Sequence, residues 1–452
     1  MLTELRIENF KAWRDTGPVR LAPLTIVFGA NSSGKSSLGQ LLLALKQTVQ
    51  MSDRRRALHL GDAGSLVDLG TFADCLHGHD LTRALAFALR WKLTRGLTVE
   101  NSANPGETYA GDGIMLAAEL RADAAGQPQT DSVRYALMRG DRDVLNILHR
   151  RDPCSLDCTP LFLEPAPGRR WPAEPPEKFY RFADRTLLHY RNADFLADFV
   201  LETERLLDGL SHLGPLRGAP RRVYQWAGEN PEDVGGQGEY AVAALLAAAG
   251  QGRRIALGPG QPDQPFDVLI AGLLAELGII QSFRVQPVAT GRTEYEVLVR
   301  THPGSPEARL TDVGFGVSQV LPALVQAFYA PPGATVWMEQ PEIHLHPMAQ
   351  SNLADVFIGA IQAHEGGGPR GVQLVVETHS EHFLTRLQRR IAERRVSPAD
   401  VAVYFVRNDR GGAELETLQL DATGEILNWP ENFFGDEMGD IAARALAALD
   451  RP

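Results

Sequence analysis

Leu24-Thr-Ile-Val-Phe-Gly29-Ala-Asn-Ser-Ser-Gly34-Lys35-Ser36-Ser37 decides how this chain folds. A short apolar run of strand length leads into a glycine-bounded loop, and Leu38, Leu41, Leu42, Leu45 and Val49 then recur at helical spacing. Residues 29–36 fit G-x-x-x-x-G-K-[ST] at every defined place, with the strand before and the helix after that this pattern requires. The chemistry explains the spacing. Gly29 and Gly34 let the loop wrap, so that the backbone N–H groups of Ala30, Asn31, Ser32 and Ser33 face an anion. The helix that opens through Ser36 and Ser37 turns its positive end to the same point. Lys35 then reaches the β- and γ-oxygens of a nucleoside triphosphate, and the Ser36 hydroxyl ligates Mg²⁺.

Further along, Ala334–Met338, Val372–Glu377 and Val401–Val406 read as three more buried strands. Between them lie a helix with Leu353, Val356, Phe357, Ala360 and Ile361 on one face and the amphipathic stretch Glu381–Arg395. Strands alternating with helices predict an α/β fold with a mostly parallel sheet covered on both sides. The first of these strands runs into Met338-Glu339-Gln340-Pro341-Glu342-Ile343-His344-Leu345-His346-Pro347. An acidic group there suits the Mg²⁺ shell, and its neighbour suits the positioning of water. The next strand ends in Thr378-His379-Ser380, which puts His379 at a carboxyl end, where α/β sites gather. Upstream of both, Gly314-Phe-Gly316-Val-Ser318-Gln319-Val-Leu-Pro322 predicts a helix opening close to Ser318, because proline is tolerated near a helix start. Its N-terminus is a second anion-directed end.

The middle of the chain, residues 51–303, differs in character. It contains the strand candidates Ile114–Leu120 and Val133–Met138, and the helix candidates Asn192–Leu210 and Glu239–Ala249. Sustained heptads are missing, which excludes a long coiled-coil arm. A net charge of −11 over 452 residues argues against a general nucleic-acid coat. Three cysteines make no disulfide framework. With neither a secretory leader nor a membrane-length apolar run, a cytoplasmic protein without a membrane partner is expected.

LTELRIENFKAW, GANSSGKSS, VGFGVSQVLP, MEQPEIHLHP and VVETHSEHFL resemble the Walker A, signature, Walker B and His-switch segments of ABC-type ATPases of the SMC/RecF/OLD group. The similarity is to compact, coiled-coil-poor members found in anti-phage defence systems. Asn428–Asp440 resembles a small terminal domain of unassigned function found on such proteins. The resemblance implies a P-loop NTPase head built from residues 1–50 and 304–410. An inserted α+β lid or arm, 51–303, partly completes it, and a small extension, 411–452, follows. It implies that Gly29 to Ser37 bind ATP, that Ser36 and Glu339 hold Mg²⁺, and that Lys11–Trp13 lie near the base. Gly314, Gly316, Ser318 and Gln319 would contact the γ-phosphate of a second subunit in a head-to-tail homodimer. Glu339 takes the place of the Walker B aspartate, Gln340 that of the catalytic glutamate, and His379 that of the switch histidine.

The function so implied is slow, Mg²⁺-dependent ATP hydrolysis that gates a dimeric switch or clamp. It would act on nucleic acid or on an effector protein, such as a nuclease encoded nearby, in anti-phage defence or DNA repair; a higher assembly stays open. Two departures bear on this. An amide accepts no proton at neutral pH, so Gln340 implies either slow hydrolysis or a substitute in Glu339 or Glu342. Glutamine is also missing between Gln50 and Gln127, leaving Asp74 as the candidate for the usual Q-loop ligand. The alternatives are a non-hydrolysing, ATP-stabilised scaffold for a partner nuclease, or a metal-dependent hydrolase using His344-x-His346 and His379-x-x-His382. Arg386, Arg389, Arg390 and Arg394, extended by Arg217, Arg221 and Arg222, read either as a basic stripe for phosphate backbones or as a salt-bridged face.

Overall fold

The computed structural model describes residues 1–168, 174–409, 411–430, 433 and 444. In chain order the main elements begin with β1 (Leu2–Phe10), β2 (Leu24–Gly29) and α1 (Lys35–Gln50). There follow β3 (Leu85–Glu100), β4 (Thr108–Ala122), β5 (Pro128–Arg139), β6 (Arg142–Arg150), β7 (Ser155–Thr159), α2 (Leu196–Asp208) and β8 (Leu210–Leu213). The C-terminal half adds α3 (Ala241–Gly250), α4 (Phe266–Glu276), α5 (Phe315–Tyr329), β9 (Thr335–Glu339) and α6 (Pro347–Gln362). It closes with β10 (Gln373–Glu377), α7 (Glu381–Ala392), β11 (Val401–Asp409) and β12 (Gly412–Leu418).

One sheet runs through the molecule. From one edge inward, β8, β9, β10, β2 and β11 are parallel neighbours in that order. Beyond β11 come the antiparallel β12 and the short strand Trp13–Asp15, parallel to β12, and from there an antiparallel run through β1 and β3 to β7. The middle of the chain thus supplies strands at both edges. The parallel strands carry apolar residues on both faces because helices cover both. Ile26, Phe28, Val336, Met338, Leu374 and Val376 face a core shared with α3 to α7. Val27, Trp337 and Val375, one residue out of step, face the core that holds α1 and α2.

Two features differ from the reading of the sequence or add to it. Helix α5 opens at Phe315 with Gly314 as its cap, not near Ser318, so Pro322 lies inside the helix. Its missing N–H leaves the Ser318 carbonyl without the usual donor four residues on. At the far end of α1, the buried Lys178 donates from Nζ to the carbonyls of Thr48 (2.6 Å) and Met51 (2.7 Å). A side chain of the insert therefore satisfies the last carbonyls of that helix. Among the described residues, no helix is long and apolar enough to cross a membrane.

Candidate functional site

The loop between β2 and α1 is shaped by backbone that most residues avoid. Gly29 has φ 146°, and a Cβ there would stand 2.4 Å from the carbonyl oxygen of Val406 on β11, so only glycine fits. Ser32 and Gly34 also have positive φ, and Gly34 caps α1. Ala30, Asn31 and Ser32 are exposed, Ser33 is buried, and the Ser37 N–H donates to the Gly34 carbonyl at 3.1 Å. Lys35 is folded back, donating from Nζ to the carbonyls of Gly29 (2.7 Å) and Ala30 (2.8 Å). Burial lowers its pKa, while Glu377, Glu339 and Glu342 act in the opposite sense. Beside the loop, Trp13 Nε1–H donates to the Gly34 carbonyl, and Lys11 donates to Gln40.

Ser36 meets two carboxylates, its Oγ lying 2.9 Å from Glu339 Oε2 and 2.7 Å from Glu377 Oε2. Glu377 was missed in the sequence. Glu339 and Glu377 are the last residues of adjacent parallel strands and are partners in register, so the two acids sit side by side. A Glu directly before Thr378-His379 was the available signal. Trp337 Nε1–H donates to the other oxygen of Glu377 at 2.7 Å. Its ring reaches there by lying against Gly39 of α1, where a Cβ would come within 2.8 Å of the indole. Burial and the adjacent Glu339 push Glu377 up to about 8, so it holds a proton at neutral pH. The Ser36 hydroxyl has one proton to give. A protonated Glu377 can donate to Ser36, which then donates to Glu339.

Glu339 is held by groups from the insert. Its Oε1 is hydrogen-bonded to His212 Nε2 at 2.9 Å, and its carbonyl accepts from Arg217 Nη2 at 3.0 Å. Burial works against its charge, but His212, Ser36 and Arg217 outweigh that and leave Glu339 below the usual carboxylate range. Arg217 therefore does not belong to a surface stripe. It is 8% exposed, on the loop after β8, with its guanidinium at the end of β9.

The chain turns sharply after Glu339. Gln340 has φ 45° and donates its N–H to the Glu377 carbonyl at 2.7 Å. The turn carries the buried Glu342 towards the end of β10, where its Oε1 accepts the His379 N–H at 3.0 Å. Burial raises the Glu342 pKa and lowers that of His379, the latter aided by Lys35.

Ser36, Glu339 and Glu377 form an oxygen-only set that suits a hard divalent cation such as Mg²⁺, which takes one or two carboxylates beside phosphate oxygens. His346 Nδ1 instead accepts the Met348 N–H, and His344 lies edge-on to Phe315. Among the described residues, no three of His, Cys, Asp and Glu gather to hold a metal ion. At the start of α5, Gly314 is exposed and Gly316 lies close under the His344 carbonyl. Ser318 is buried and donates to the Phe315 carbonyl, and Gln319 is buried with its Nε2 unpartnered. Among the described residues, no hydrogen bond or ion pair joins residues 314–319 to residues 29–37.

Asp74 does not reach this site. It is exposed and closes a capping box with Thr71, while its loop packs on the Lys11 backbone through Cys75 and His77. The three arginines of α7 are paired, sharing two carboxylates. Arg386 and Arg390 pair with Asp355 of α6, and Arg389 and Arg390 pair with Glu393.

Residues 300–385 match the family described as "AAA domain, putative AbiEii toxin, Type IV TA system". That stretch contains α5, β9 and β10, the wall that faces the phosphate loop. The chain has the fold of a P-loop NTPase, with an AAA-domain match in its C-terminal half. Residues 396–443 of this NTPase match a second family, "Protein of unknown function (DUF3696)". Within that match, Phe433 packs on Phe28 and Phe405, while residues 410, 431, 432 and 434–443 lie outside the described set. Similar solved structures include an SMC head bound to the C-winged helix domain of ScpA, at 12% identity, covering 93% of this chain and 98% of that chain, TM-score 0.44. The SMC head domain from Thermotoga maritima is similar at 11% identity, covering 92% and 99%, TM-score 0.40. An SMC head with an extended coiled coil, bound to a ScpA domain derived from Pyrococcus furiosus, follows at 12% identity, covering 100% and 99%, TM-score 0.41. No curated protein matches the NTPase in sequence.

Proposed function

We propose that this NTPase binds ATP with Mg²⁺, hydrolyses it slowly, and uses bound ATP to close a head-to-tail homodimer that works as a switch or clamp. The observation that carries the reading is Ser36, set between Glu339 and Glu377 at the foot of the Lys35 loop. Mg²⁺, when bound, draws charge off the phosphates. Ser36, Glu339 and Glu377 would hold it, with Glu377 giving up its proton. Residues 30–37 offer backbone N–H groups to the phosphates, and Lys35 leaves the carbonyls of Gly29 and Ala30 to meet them. The dimer is supported by the exposed Gly314 cap and by large apolar side chains exposed beside the site: Phe315 (52%), Met348 (58%) and Leu216 (77%). With the α7 arginines paired and the chain net acidic, an effector protein suits the switch better than nucleic acid. The resemblance in sequence points to anti-phage defence or DNA repair as its setting, in the cytoplasm.

ATP turnover measured beside sizing by light scattering tests this, with and without ATP–Mg²⁺, for the native protein and Lys35→Ala. The expected result is an ATP-driven shift to dimer with slow turnover, both lost in Lys35→Ala by about 100-fold or more. A native protein that neither binds ATP nor changes its assembly overturns the reading. A Lys35-dependent dimer with no turnover selects the scaffold, the second reading that Gln340 favours.

A further inference from the structure

We propose that Glu342, and not residue 340, accepts the proton of the water that attacks ATP, with Arg217 as the positioning residue beside it. The proposal rests on the ATPase reading above.

Glu342 does more than a structural carboxylate requires. A cap for the His379 N–H needs one oxygen, and Oε1 provides it. The other oxygen, Oε2, is buried with no hydrogen-bond partner. Leaving such a group unsatisfied costs about 1–3 kcal/mol, which packing alone gives no reason to bear. Arg217 repeats the pattern from the opposite wall. One N–H holds the Glu339 carbonyl, while Nε and Nη1 are buried and unpartnered. The two side chains lie within electrostatic reach of each other, and Glu342 also acts on Lys35. An unpartnered acceptor on Glu342, beside Thr378 and His379, and two unpartnered donors on Arg217, beside Glu339, thus belong to the ends of the adjacent strands β10 and β9. The sharp turn at Gln340 makes this placement, since it carries position 342 back to the neighbouring strand.

In the step proposed, the water oxygen bonds to the γ-phosphorus as the bond from that phosphorus to the bridging oxygen breaks. The electron pair leaves on the β-phosphate of ADP. The water proton passes to Glu342 Oε2 and from there to solvent, leaving ADP and inorganic phosphate. Burial raises the Glu342 pKa, which makes its carboxylate a better proton acceptor, while Arg217 acts on it in the opposite sense.

Glu342→Gln tests this directly, because the amide keeps an oxygen for the His379 N–H and removes the acceptor at Oε2. The expected result is a fall in kcat of about 100-fold or more, with ATP affinity and the ATP-driven dimer unchanged. A kcat within about 3-fold of native overturns the proposal. Should Glu342→Gln not fold, Glu342→Asp decides: about a 10-fold loss of kcat at unchanged ATP affinity supports it, and native kcat overturns it. Arg217→Lys separates positioning from mere packing, since it should lower kcat while leaving KM in place. Loss of KM alone in that variant removes Arg217 from the proposal. Absence of Lys35-dependent turnover in the native protein sinks the ATPase reading, whereas native turnover that survives Glu342→Gln sinks only this inference.

Discussion

Residues 29–37 and the side chains that face them reach the same point by different routes. The phosphate loop is one continuous stretch, and its shape is set locally by positive φ at Gly29, Ser32 and Gly34. The facing wall has no continuity. His212 and Arg217 come from β8 and the loop after it, Glu339 and Glu342 from the turn after β9, and Glu377 and His379 from the end of β10. What joins them is parallel register, which sets Leu213 beside Met338 and Glu339 beside Glu377. A local site fails through single backbone positions. A registered site fails through the loss of charges that only neighbours supply.

The contrast can be broken most severely at the loop. Gly29→Ala forces a Cβ into the Val406 carbonyl at a φ that alanine avoids. It should lower stability by about 3 kcal/mol and weaken ATP binding by about 100-fold, read by urea unfolding and nucleotide titration. A change under about 0.5 kcal/mol would show that the loop does not depend on its own backbone.

The wall should respond less and in a pH-dependent way. Glu377 is raised from its ordinary 4.5 to about 8, so the folded state binds more protons than the unfolded chain between those values. Its contribution is full below 4.5, and stability falls as pH rises towards 8, by up to about 1.4 kcal/mol per pH unit. Glu377→Gln keeps an acceptor for Trp337 and should flatten this fall in thermal melts at pH 5, 7 and 9 without Mg²⁺. It should also weaken Mg²⁺ binding in the presence of ATP by about 10-fold. Equal pH slopes in the two proteins would mean that Glu377 is not the proton-holding partner.

The smallest effect is expected where wall and turn meet. Gln340→Glu places a carboxylate where an amide stands now and should raise turnover about 3-fold or more in a steady-state assay. No change or a loss would remove residue 340 as the reason for slow hydrolysis.

The same contrast explains what could be read from the residues alone. The β2–loop–α1 unit and the strands that end in Glu339 and near His379 were legible, because spacing and periodicity are local. Glu377 was not, because its meaning depends on which strand lies beside β9. Arg217 looked like a surface base until β8 took the edge beside β9 and brought the following loop over Glu339. The α7 arginines looked like a stripe because Asp355, which pairs two of them, belongs to another helix. Gly39, unremarked within α1, is there because the Trp337 ring lies on it. The start of α5 was misplaced by a turn, since the rule for proline does not foresee a proline carried inside a well-packed helix.

Lys178 ties the insert to the far end of α1. Helix α1 is a rod of 16 residues, about 24 Å long, with the phosphate loop at its head and a lysine of the insert gripping its tail. Displacing the segment around residue 178 would therefore displace the tail of the helix whose head carries the phosphate loop.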